Sequence, residues 1–268
     1  MKRIRFVIWI TTVIITMSWV FSVPAFAIEF SNDTVKTIII SGKAVKVDSK
    51  VTAKELELLT PELLGDINLQ DGPILSISNT VSQIDETEAS VAPMAVIPTN
   101  ELFLTVVAQR YMTNTEFDYL KFTAIATLKI LPTIKLTDYF GIAWSDDFTL
   151  YSDSCNVVYA LYGGPNTITK SALRKNVAAE AGVGYEFDMV AWSGGSQYQI
   201  KKATIEAYTK KHNTTGTLNV VAEYAHEYIA LFGGSINMSF SKTPDVGFSA
   251  DIDVSYNTAS PAYDDFVY

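Results

Sequence analysis

The sequence predicts an all-β chain: an antiparallel β-sandwich, jelly-roll-like, preceded by a small α/β segment. Three observations predict it. Apolar and polar residues alternate with a period of two over long stretches after residue 101. Eleven of the 14 glycines fall after residue 140, several as pairs at 163–164, 194–195 and 233–234, where turns reverse strands. No long helical periodicity alternates with these strands, which argues against a doubly wound α/β sheet.

In chain order, residues 1–27 read as a secretory signal peptide. Lys2, Arg3 and Arg5 precede an apolar run over 6–23, and "PAFA" places small residues at Ala25 and Ala27. The run approaches membrane-spanning length, so the competing reading is an uncleaved anchor. The Ala-Phe-Ala ending favours cleavage, with Ile28 as the first mature residue. No second long apolar run follows, so no membrane span is expected after signal removal.

Residues 28–79 form the small mixed segment. "TVKTIIISGKAVKV" (34–47) reads as two strands around Ser41-Gly42. "TAKELELL" (52–59) opens with Thr52 three residues before Glu55, the spacing of a capping box. Pro61 suits the first turn of a second short helix. Residues 80–100, rich in Ser, Thr and acids with two prolines, read as a linker.

Residues 101–268 form the sandwich domain. In "YLKFTAIATLKI" Leu120, Phe122, Ala124, Ala126, Leu128 and Ile130 share one face; Lys121, Thr123, Thr127 and Lys129 share the other, with Ile125 the exception. That pattern predicts a half-buried strand. "VGYEFDM" (183–189) repeats it. "SINMSFSKTPDVGFSADIDVSY" (235–256) predicts a hairpin with Phe240, Phe248 and Ile252 on its buried side. "LTDYFGIAWSDDFTL" (136–150) and "SKTPDVGFSADIDVSY" (241–256) resemble stretches of uncharacterised secreted proteins of Gram-positive bacteria, over roughly residues 101–260. The resemblance implies a secreted bacterial protein and carries no activity with it.

Charge narrows the partners. The net charge of −9 becomes −12 once the three basic residues of the leader are removed. A surplus of acid argues against nucleic acid and against anionic membranes held by charge alone. The single Cys155 excludes an internal disulfide and reads as a small buried hydrophobe.

Motifs of chemistry are each incomplete. "HEYIA" at His226 has Ala230 where a zinc protease needs its second histidine, and the surrounding period is that of a strand. "EFDMVA" (186–191) resembles the E-x-D-x-x-E signature of jelly-roll retaining glycosidases. Glu186 and Asp188 match it, but Ala191 stands where the acid/base belongs, so the double displacement is not expected. "DDFTLYSDSC" (146–155) gathers three aspartates. Its central residues read as strand, which sets Asp147 and Asp153 about 20 Å apart and rules out a shared calcium ion. Asp153 reads as the first residue of a turn. No catalytic residue, metal or cofactor is expected.

Two functional readings follow. The first is a secreted, non-catalytic module for an extracellular ligand, with glycan or cell-envelope polymer as the ligand class. Its candidates are Trp144, Trp192, Glu186 and Asp188, since aromatic faces stack on sugars and carboxylates accept hydroxyls. The alternative is a pore-forming or self-assembling secreted protein, based on long amphipathic hairpins rich in Ser and Thr.

Overall fold

The computed structural model describes residues 35–81, 102–113, 117–129, 136–145, 148–212, 217–230, 236–241, 245–250 and 254–267. The leader and its cleavage point, all but the first two residues of the 80–100 linker, the pair Asp146-Asp147, and the side chains of Phe248 and Ile252 lie outside them.

The period-two stretches fold into 17 described strands. At the N-terminus β1 (Val35–Ile40) and β2 (Lys43–Asp48) form the expected hairpin. Ser41 and Gly42 carry φ of 49° and 78° at its turn, where the primed geometry matches the strand twist. Two short helices follow, α1 (Ala53–Leu56) and α2 (Leu63–Asp66). Thr52 and Glu55 make the reciprocal capping box, with the Thr52 amide donating to Glu55 at 2.7 Å. Then β3 (Ile74–Val81) pairs with β4 (Leu102–Thr113). The N-terminal segment and the sandwich therefore share one hydrogen-bonded sheet.

That first sheet continues through β5 (Phe117–Leu128), β12 (Ser196–His212), β7 (Thr149–Leu161) and β8 (Thr167–Ser171), with β11 (Val190–Ser193) beside β12. Apart from a single parallel pair joining β2 to β3, its pairings are antiparallel. The second sheet is ordered β16 (Val254–Thr258), β13 (Thr217–Ala230), β6 (Thr137–Trp144), β10 (Gly182–Asp188), β9 (Leu173–Ala178), with β17 (Ala262–Val267) also on β13. A third, two-stranded sheet is β14 (Ile236–Ser241) with β15 (Asp245–Ala250).

The main core lies between the first two sheets. Phe122, Ala124, Val157 and Ile205 from one meet Phe140, Trp144, Val183 and Tyr224 from the other. Each sheet also carries a layer on its outer side. Val107 and Ile125 of the first sheet pack with Ile38, Val45, Leu64 and Ile74 of the N-terminal segment. Tyr139, Ala143, Val221 and Ala225 of the second pack with Ile236, Met238, Phe240 and Val246 of the third sheet.

The structure corrects three expectations. Strand β5 is buried on both faces, because the N-terminal segment covers the face predicted to be wet; Ile125, the exception to its alternation, is where that second core begins. Lys121 is fully buried there, and its ammonium is held by Asp71 at 2.6 Å and Glu206 at 2.5 Å. Asp153 lies inside the 13-residue β7, not at a turn, where the Arg174 guanidinium and Tyr185 hydroxyl satisfy its carboxylate. The hairpin predicted over 235–256 pairs only to Ala250; Val254–Thr258 leaves it to pair with β13.

Candidate functional site

Strand parity decides which candidates reach solvent. In β6 the even residues Phe140, Ile142 and Trp144 point into the sandwich. Trp144 is fully buried and donates its indole N–H to the Phe148 carbonyl at 2.9 Å. It is a core residue, which removes it as a ligand platform. Trp192 is the opposite case: it sits one position before the Ser193 to Ser196 turn and is 64% exposed.

In β10 the same alternation turns Val183, Tyr185 and Phe187 inward and leaves Glu186 and Asp188 on the outer side. Both line a cleft of about 570 Å³ with Thr137, Tyr139, Lys170 and Glu227. Lys175 pairs with Glu186 at 2.8 Å, and the Thr137 hydroxyl donates to Asp188 at 3.4 Å. Lys170, on the cleft wall, donates to the Trp192 carbonyl at 3.5 Å, which places Trp192 beside the rim. Three of the four sequence candidates therefore gather at one place.

Glu227 is the residue that sequence spacing missed. It comes from β13, one position beyond the His226↔Asp138 pair, and its carboxyl meets the backbone of Thr137, the partner of Asp188. Burial, reinforced by Asp138, raises its carboxyl above the ordinary range. Only the sheet order brings it here; the "HEYIA" stretch contains it but gives no sign of its place beside Glu186 and Asp188. Among the described residues no three acidic, histidine or cysteine side chains converge closely enough to hold a metal ion.

Beneath the cleft, on the inner side, is a buried polar group. His226 Nδ1 lies 2.6 Å from Asp138 Oδ1, and the Tyr224 hydroxyl donates to the other Asp138 oxygen. All three are fully buried, and burial raises the Asp138 carboxyl. His226 stands on a strand, as its neighbours predicted, so the zinc-protease geometry is absent from it. Cys155 is buried, and desolvation pushes its thiol up to about 12, far from a reactive thiolate.

The third sheet is the other unusual feature. Among the described residues β14 and β15 pair only with each other, so no backbone ladder joins this hairpin to the second sheet. It rests instead on a surface of Tyr139, Ala143, Val221 and Ala225 interrupted by glycines that let it approach closely. A Cβ at Gly141 would lie 2.8 Å from Val246 and one at Gly184 2.6 Å from Met238, and one at Gly182 would collide with Phe240. Among the contacts that fasten it, the Asn176 amide donates to the Met238 carbonyl at 2.5 Å, the Tyr139 hydroxyl meets the Ile236 backbone, and Glu223 meets Asp245.

No family model matches the chain, and no curated protein does. Among solved structures it is similar to a pore forming protein, with 8% identity, 70% of this chain and 94% of that chain covered, and a TM-score of 0.31. It is similar too to the NetB toxin of Clostridium perfringens in the membrane inserted form (6% identity, 71% and 94% covered, TM-score 0.30). The delta-toxin of Clostridium perfringens is a third such structure (9% identity, 89% and 95% covered, TM-score 0.31). Likenesses of this size leave function to be argued from the chain's own residues.

Proposed function

We propose that this is a secreted protein that acts by unfolding its docked hairpin into a longer amphipathic one, which associates with other copies and enters a lipid bilayer. One observation carries this reading: the docked hairpin and the β13–β16 pair are two parts of a single hairpin. Ala230 pairs with Val254 at the end of one ladder, and Ile236 with Ala250 at the start of the next. One arm has five residues between the ladders (231–235) and the other three (251–253). That even difference preserves parity, so joining the ladders would keep every side chain on its face.

The resulting faces suit a bilayer. Over 235–255 the even residues of the strands are Ile236, Met238, Phe240, Val246, Phe248, Ala250, Ile252 and Val254. The odd ones are Ser235, Asn237, Ser239, Ser241, Asp245, Gly247, Ser249, Asp251, Asp253 and Ser255. Apolar outside and polar inside is the alternation of a barrel that spans lipid. With β13 and β16 continuing the arms, each exceeds the roughly 9–11 residues that a crossing strand needs. The described residues include no helix long and apolar enough to cross a membrane, which leaves crossing by strands open. No catalysis belongs to this reading.

A disulfide staple tests it. Glu223→Cys with Asp245→Cys, at side chains that touch, would hold the hairpin down. Unstapled protein is expected to release dye from phosphatidylcholine vesicles, and the oxidised variant to do so only after reduction. Equal leakage from the stapled form, or none from either form, would overturn the proposal.

A second reading is favoured by the gathering of Glu186, Asp188 and Trp192. The cleft would engage an extracellular glycan, with Trp192 as the stacking platform at the rim and the acids as hydroxyl acceptors. Trp192→Ala should weaken retention on a glycan array at least tenfold while leaving the melting temperature unchanged. Unaltered retention would dismiss it.

A further inference from the structure

We propose that Glu223 and Asp245 form a pH-responsive latch, holding the hairpin docked in acid and releasing it as the medium turns neutral to alkaline. This rests on the reading that the hairpin leaves the second sheet. Glu223 stands on the outer side of β13, directly across from Gly141 of β6. Because Gly141 has no side chain, Val246 settles close to that strand. Its neighbour Asp245 is thereby carried to Glu223, and the two carboxyl groups hydrogen-bond. Two carboxyl groups in such contact share a proton; with none between them they repel.

The surroundings sharpen this. Asp245 comes from the hairpin, and among the described residues Tyr263 of β17 is a further titratable group that interacts with Glu223. Strand β6 offers Gly141 and Ala143 beneath, neither charged. Burial first, then Asp245, raise the Glu223 carboxyl to about 7. A released hairpin returns it to the ordinary range near about 4.3. A group whose value is raised in the docked state favours docking fully below its released value. That preference is lost as pH rises through about 7 and stays lost above it. The device therefore keeps the hairpin shut in acid and frees it in a neutral medium.

The test uses the full mature chain with spin labels at Ser249→Cys on the hairpin and Lys201→Cys on β12. Native Cys155 is buried and will not label. The long-distance, released population should grow at least tenfold between pH 5 and pH 8. Glu223→Gln, which keeps a hydrogen-bonding group without the charge, should abolish that growth and remain docked at pH 8. An unchanged pH profile in Glu223→Gln would overturn the latch. The two proposals fail separately. Release that follows pH without vesicle leakage upholds the latch and removes the membrane reading; leakage with no pH-dependent release does the reverse.

Discussion

The two outer layers of this sandwich are both β-hairpins on a sheet, yet they are attached by opposite means. The N-terminal layer enters its sheet through the β3–β4 ladder, from Ile74↔Gln109 to Val81↔Phe103. It meets the sheet with large side chains, Ile38, Val45, Leu64 and Ile74 against Val107 and Ile125. The C-terminal layer has no ladder to its sheet among the described residues, and it meets Tyr139, Ala143, Val221 and Ala225 interspersed with Gly141, Gly182 and Gly184. Close-packed side chains and shared backbone bonds make one cooperative unit, whereas a layer seated without a shared ladder permits local release. The difference teaches where to look for motion: not at exposed loops but at a layer that shares no described ladder with the sheet beneath it.

The largest effect should come from breaking the N-terminal layer. Ile74 is fully buried where β3 meets β4. Ile74→Ala should cost about 2–5 kcal/mol of global stability, read from the shift of a urea midpoint. If only the N-terminal layer melted while the sandwich held, the two layers would be alike and the comparison would fail.

A second, pH-dependent effect ties the same layer to both sheets. The Ser76 hydroxyl donates to Asp264 at 2.5 Å, joining β3 to β17. Burial raises the Asp264 carboxyl to about 6, although that hydrogen bond pulls it down. Its stabilising contribution is whole below the unfolded value near 3.8 and disappears as pH climbs through about 6. Asp264→Asn keeps a partner for Ser76 and removes the ionisation. It should match the native chain at pH 4 and exceed it at pH 8, by on the order of 3 kcal/mol at most. Equal stability at both pH values would show that Asp264 is better hydrated than its burial implies.

Local periodicity carried the fold a long way. The alternation in 119–130 and 183–189 placed Phe122, Ala124, Val183 and Phe187 in the core, and Ser41-Gly42 and the Thr52–Glu55 spacing marked a turn and a cap. What periodicity could not supply was the number of layers. A strand with one polar face reads as half-wet, and only the tertiary cover over β5 makes Lys121 a buried, doubly paired cation. The candidate site divided in the same way. Parity gave Glu186 and Asp188 a common side, but Glu227 reached them by sheet order alone. Trp144 and Trp192 are indistinguishable as aromatic residues in a sequence, and register sent one inward and the other to the rim.

The smallest global effect, and the one that separates the layers best, is expected at Gly141. The three atoms nearest an added Cβ there all belong to the hairpin: Val246 at 2.8 Å, Phe240 at 3.4 Å and Met238 at 3.6 Å. Overpacking an ordinary core costs about 1–3 kcal/mol and rises with each added carbon, because the neighbours cannot leave. Here the neighbour can. Once the strain exceeds the docking free energy, the hairpin departs and further bulk adds nothing. The series Gly141→Ala, Gly141→Val, Gly141→Leu should therefore reach a plateau, at no more than about 1 kcal/mol if docking is weak enough to be reversed in function. Amide exchange in β14 and β15 should accelerate at the same step, while exchange in β6 and β13 stays slow. A cost that keeps climbing from alanine to leucine, with the hairpin amides still protected, would mean that the C-terminal layer is as firmly built in as the N-terminal one, and that its glycines serve close packing rather than release.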